Sequence, residues 1–309
     1  MSNTDKFILK KITDTITNGW VNHQRTAMNP LGIYRIEYIN PKTGKKQAQS
    51  YMEMQDLIIP VIIKKDNKTG EIYFAMQYEY VPSSKYGIQL ELPDFPFFNK
   101  KKDNYTNEDV ISCLDENLTY LRLDMIGFKY LDSGDTAVNQ SISDQIMIVV
   151  YVYVRDDDEK TDNNLEWFPI SSLQDYLFID PNEEIDFEHS CMKSKYALRL
   201  FYEEFKNDIK QRGQTKFVYK NDLFKTNSPW NQTKTIMRHE YRFGETLAEI
   251  EQTKEGISNY GSVIEMGTSK NSVECIIVKR EIGKIKIGLS KQQRSPFIAR
   301  EGIDEFFYE

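Results

Sequence analysis

The side chains richest in chemistry form no familiar constellation along this chain. The histidines are His23, His189 and His239, and the cysteines are Cys113, Cys191 and Cys275. Only His189 and Cys191 come close in sequence, and one such pair falls far short of the four ligands a structural zinc takes, so surface or capping roles are expected. Three widely separated cysteines, an odd number, fit free thiols in a reducing compartment and not a disulfide frame. Asp156, Asp157, Asp158 and Glu159 offer oxygens for a cation, but a run of like charge between apolar segments reads as a solvated loop. Neither G-x-x-x-x-G-K-[ST] nor G-x-G-x-x-G occurs, so P-loop and Rossmann readings fail. No Ser, His and Asp set announces itself, although a triad is defined by geometry and not by spacing.

The elements that would position a site follow from periodicity and turn residues. GIYRIEYI and QAQSYMEM flank Asn40, Pro41 and Gly44, which predicts a hairpin. LIIPVIIKK and EIYFAMQYEYV flank Asp66, Asn67 and Gly70 and predict a second. After YGIQLELPDFPFF and a polar insert, Val110, Leu114, Leu118 and Leu121 recur at helical spacing. Thr106 or Asn107 fits the N-cap of that helix, with Glu108 and Asp109 favourable in its first turn. QIMIVVYVYV reads as a buried central strand, and LEWFPISSLQDYL as a short strand turning into a helix. KSKYALRLFYEEFKNDIKQ is an amphipathic helix closed at Arg212-Gly213. Beyond it the chain offers short alternating runs with Gly at the turns. The division expected is an N-terminal segment over 1–29, a domain over 30–212 and a β-rich domain over 213–309.

Composition bounds the partners. The net charge of -7 argues against non-specific binding to nucleic acid, whose phosphates an acidic chain repels. No apolar run reaches the roughly 18 residues that span a bilayer, and the N-terminal stretch MSNTDKFILKK lacks the apolar core of a secretory signal. A cytoplasmic protein is expected, or one in a virus particle assembled there. The usage of Asn, Lys, Ile and Tyr looks like an AT-rich genome, as in a bacteriophage or a low-GC bacterium.

The order of segments over residues 30–212 resembles that of ADP-ribose pyrophosphatases of the Nudix superfamily. AMQYEYVP stands where the family has a Q-x-R-like strand end, and LELPDF at Leu90 to Phe95 resembles L-E-L-P-A-G. The helix around Cys113 stands in the place of the Nudix box. FKYLDSGD then leads to the central strand, and LEWFPISSL precedes the terminal helix. The resemblance implies an α/β/α sandwich with a mixed sheet. It also implies hydrolysis of a nucleoside diphosphate such as ADP-ribose, with Mg or Mn held by box glutamates. That cation bridges the diphosphate, neutralises developing charge and activates water.

The box is where the pattern breaks. Phe95 stands where its glycine belongs and Lys101 where its first glutamate belongs, and no register of DVISCLDENLTYLRL restores R-E-U-x-E-E. One alignment leaves Glu116 as the single surviving carboxylate, with Asn117 beside it; another puts Tyr120 and Leu121 in those slots. Arg199-Leu200-Phe201-Tyr202-Glu203-Glu204 mimics the motif, but lies far downstream in the terminal helix with its glutamates expected in solvent. Three phenylalanines, Phe95, Phe97 and Phe98, crowd the vacated position, with the core as their expected place.

The reading is a catalytically degenerate binding or assembly module without a cofactor, in contact with other protein chains in an oligomer or larger assembly. In an AT-rich phage it would be a virion or tail component. If the chain is instead a hydrolase, Glu91, Asp115, Glu116 or Asp144 must converge on Mg or Mn. A nucleotide sensor without hydrolysis would use Gln77, Glu79, Glu91 and Asp144. In the second domain, VECIIVKREIGKIKIGLSKQQRSPF parallels LIIPVIIKKDNKTGEIYFAMQYEYVP, and GIDEFFYE parallels GIQLELP. Gln292 and Arg294 fit Q-x-R there, so an incomplete second repeat is expected.

Overall fold

The computed structural model describes residues 7–13, 32–39, 46–80, 88–97, 104–132, 136–138, 143–155, 165–178, 191–213, 215, 217, 230–242, 245–254, 257–266, 276–281, 283–289, 291–292 and 307–308. His23, the turn at Asn40 to Gly44, Phe98, Lys101, Asp156 to Glu159, His189, Cys275 and Arg294 lie outside them.

The center of the molecule is a mixed sheet. Its strands are β4 (Leu57–Lys65), β5 (Ile72–Tyr80), β8 (Met125–Tyr130), β10 (Ile146–Val154) and β11 (Leu165–Pro169), in the order β11-β5-β4-β10-β8. Short strands join its flank: β6 (Ile88–Glu91) on β5, β7 (Phe95–Pro96) on β4 and β9 (Thr136–Ala137) on β10. β4 and β10 run parallel, Leu57 opposite Met147, and every other pairing in this sheet is antiparallel. These two strands are largely apolar runs rich in Ile and Val because both of their faces are covered.

One face packs Leu57, Ile59, Val61, Phe74 and Val149 against helix α3 (Met192–Arg212), which follows the short helix α2 (Leu173–Leu177). Ser194, Ala197, Leu198, Phe201, Tyr202 and Ile209 give α3 its buried stripe at helical spacing. The other face packs Ile58, Ile62, Val150 and Val152 against helix α1 (Asn107–Tyr120), through Val110, Leu114 and Leu118. The result is an α/β/α sandwich with a mixed sheet, the architecture implied by the segment order.

Pro60 has no N–H to give to a ladder, and β4 accommodates it. β7 pairs with β4 only at Leu57 and Ile58, and β5 only from Ile63 onward, so Pro60 falls in the gap between them. The β4–β5 turn is tied by Asp66, whose Oδ1 accepts from Lys68 N–H at 2.7 Å, and Gly70 takes φ +70° there. Arg212, in the last turn of α3, reaches the same turn through Gly70 O and Glu71.

The remaining strands form separate small sheets. β1 (Phe7–Thr13), β2 (Gly32–Ile39) and β3 (Lys46–Glu53) make an antiparallel three-stranded sheet. Residues 7–13, read from sequence as part of an N-terminal segment, thus share a sheet with the first predicted hairpin. Their run FILKKIT alternates too poorly to announce a strand. In the C-terminal part, β12 (Trp230–Arg242), β13 (Glu245–Lys254) and β14 (Ile257–Met266) form an antiparallel sheet. β15 (Ile277–Glu281) and β16 (Lys284–Gly288) form a hairpin, and β17 (Lys291–Gln292) pairs with β18 (Phe307–Tyr308). Gln292 lies opposite Phe307 there.

Candidate functional site

The stretch Leu90 to Phe97 runs between the two helical layers at the N-terminal ends of β4 and β10, and both layers grip it. Leu92 N–H donates to Ser194 Oγ of α3 at 2.8 Å, and Lys193 Nζ pairs with Asp94 at 2.5 Å. From the opposite layer the Cys113 thiol of α1 donates to Pro96 O at 3.5 Å and lies 3.9 Å from Phe95 O. Asn117 turns back on the same helix, its Nδ2 donating to Cys113 O at 2.7 Å.

The flank of α1 turned to this stretch therefore carries Val110, Cys113, Leu114 and Asn117, with no carboxylate. Burial, then the nearby Glu116 carboxylate, pushes the Cys113 thiol up to about 12 against Asn117's opposing hydrogen bond, so it stays neutral. Phe95 and Phe97 are buried in the α1 core, and Phe97 stacks on Tyr105 with centroids 3.9 Å apart. They occupy the core, as read from sequence.

The candidate acids fall in two places. Glu91 is buried on the α3 side, where the Cys191 thiol hydrogen-bonds to it and is pushed up to about 11 by burial and then by this carboxylate. Beside them Tyr176 Oη is buried with no hydrogen-bond partner, and burial raises its pKa, helped by Cys191 and Glu91. Burial alone would lower Lys193, but Asp94, Cys191 and Glu91 hold it above its ordinary value. Asp115 and Glu116 lie instead on the outward side of α1, in a shallow depression with Glu108, Ile111, Ser112 and Thr119. The structure does not bring Glu91 together with Asp115 and Glu116. Among the described residues no group of three or more His, Cys, Asp or Glu side chains is placed to hold a metal ion. A Mg or Mn ion bridging a diphosphate needs several oxygens at one point, and the residues here do not fit it.

Asp144 is buried and accepts from Met54 N–H at 3.1 Å. Gln77 lies opposite Glu91, and Glu79 opposite Gln89 across the β5–β6 pair. Glu203 and Glu204 of the mimic motif are exposed; Glu203 pairs with Lys206 and Arg199, and Glu204 with Lys129. His239 sits in β12, opposite Leu247. Sequence reasoning passed over Asp56, which is buried at the start of β4 and accepts from Tyr105 Oη and from Ile146 N–H, both at 2.9 Å. It also passed over the pair of Asp94 with Lys193 and the buried Tyr176. None of these has a local signal, since each contact joins residues far apart in the chain.

No family model and no curated protein matches this chain. Among solved structures it is similar to a crystal structure of an ADP compounds hydrolase, at 12% sequence identity and a TM-score of 0.41, over 65% of this chain and 93% of that one.

Proposed function

We propose that this chain is a Nudix-like binding or assembly module that does not carry out metal-dependent hydrolysis of nucleoside diphosphates. One observation carries the reading. The flank of α1 facing the Leu90 to Phe97 stretch is apolar or neutral, while Asp115 and Glu116 point outward and Glu91 is enclosed in the opposite layer. A scaffold segment is kept and the oxygens that give it chemistry are missing from its working side, so fold alone supplies no activity. In the phage setting drawn from composition, the module would be a component of the virion.

The test is incubation of the chain with ADP-ribose and Mg²⁺ or Mn²⁺, followed by detection of AMP. No release above the enzyme-free control is expected. Metal-dependent release that Glu116→Gln abolishes would overturn the reading in favor of a hydrolase. Calorimetry with ADP-ribose and no metal separates the remaining possibilities: heat of binding at millimolar ligand identifies a nucleotide sensor, and its absence leaves protein partners.

A further inference from the structure

The β15–β16 hairpin presents a bare apolar face. Its register sets Val278 opposite Ile287 and Arg280 opposite Ile285, and strand alternation adds Ile276 and Leu289 to the same side. These five apolar side chains are between 52% and 80% exposed. The other side carries Ile277 and is otherwise polar, where Glu281 bridges Lys279 at 3.0 Å and Lys286 at 2.7 Å. An isolated two-stranded ribbon is marginal in water, and a contiguous apolar patch marks a contact surface.

Charge identifies what fits it. The hairpin sets Lys279, Arg280, Lys284 and Lys286 against Glu281 alone, in a chain whose net charge is -7. Arg280, within the apolar face, has no ion-pair partner among the described residues. The complementary surface lies on the first domain. α1 carries Glu108, Asp109, Asp115 and Glu116 and no cation, and Asp115 and Glu116 have no ion-pair partner among the described residues. Around them Ile111 is 39% and Tyr120 88% exposed. Alongside runs β8, an edge strand with its outer side unpaired among the described residues, and Ile126 on it is 66% exposed. Tyr130 joins strand and helix, its hydroxyl donating to Asn107 Oδ1 at 2.8 Å.

We propose that the β15–β16 hairpin of one copy docks on the α1–β8 flank of a second copy, setting Arg280 against Asp115 and Glu116. The contact rests on the assembly reading above. The apolar side chains described on both surfaces are exposed, and because they are different surfaces the contact is head-to-tail, giving rings or filaments.

The test is sedimentation of the full chain over a range of micromolar concentrations at low salt. The mass should rise with concentration and fall as salt screens the charges. Arg280→Glu alone, or Glu116→Arg alone, should weaken association about tenfold or more. An equal mixture of the two variants should restore it, because the exchanged charges again oppose one another. A chain that stays monomeric throughout, association that neither substitution weakens, or a mixture that fails to recover overturns the contact. None of these outcomes bears on hydrolysis, which ADP-ribose turnover tests separately.

Discussion

Single side chains clamp the Leu90 to Phe97 stretch, and their removal should register in stability. Ser194 is 1% exposed and accepts the Leu92 N–H. Ser194→Ala leaves that buried donor unmatched, and a loss of about 1–3 kcal/mol in denaturant unfolding is expected. Tyr105→Phe keeps the ring stacked on Phe97 but removes the hydroxyl from the buried Asp56 carboxylate, so a loss of about 1–3 kcal/mol is expected in the same measurement. The Cys113 thiol titrates at about 12 in the folded chain against an ordinary 9.0. Its neutral form is favored by folding, so that contribution is full below pH 9.0 and is lost as pH rises toward about 12. Iodoacetamide at mildly alkaline pH should leave Cys113 unmodified in the native chain and label it after denaturation, read by peptide mass spectrometry. The burial of Phe95 and Phe97 was legible in their sequence, because aromatic residues in a short apolar run favor a core. The positions of Glu91, Asp115 and Glu116 were not, because which side of a strand or helix meets which layer is decided by packing across the whole domain.

At the scale of elements the local rules worked best where one residue closes or opens a segment. Thr106 caps α1, accepting from Asp109 N–H while the Asp109 carboxylate accepts from Thr106 N–H. Thr106→Ala should cost about 1 kcal/mol and fray the first turn, measurable by thermal melting and amide exchange. Gly70 at φ +70° and Gly213 at φ +80° sit where the sequence placed a turn and a helix end. Gly70→Ala should cost about 1 kcal/mol through the left-handed backbone alone, because its nearest neighbor atom, Lys65 Cε, is 4.0 Å from the added methyl. The helix stripes of α1 and α3 could be read from spacing, since periodicity reports burial directly. β1 could not, and the gap beside Pro60 was equally hidden, because both depend on pairing with residues distant in sequence.

For the whole molecule, the central sheet has both of its faces covered by helices, whereas the C-terminal hairpin has an exposed apolar face. β4 and β15 hold matching places in the expected repeat, yet β4 is buried along most of its length and every residue of β15 is exposed. The matching runs of sequence carried that parallel, but sequence does not say whether layers will close over a strand. Among the described residues, no shared seat for a divalent cation lies beside the Leu90 to Phe97 stretch. Electron paramagnetic resonance of Mn²⁺ titrated with the full chain in the presence of ADP-ribose tests it most directly. The free-ion signal is expected to match that of a control holding the same ADP-ribose without protein. One-to-one loss of that signal, reversed by Glu91→Gln or Glu116→Gln, would show that these carboxylates do hold the ion.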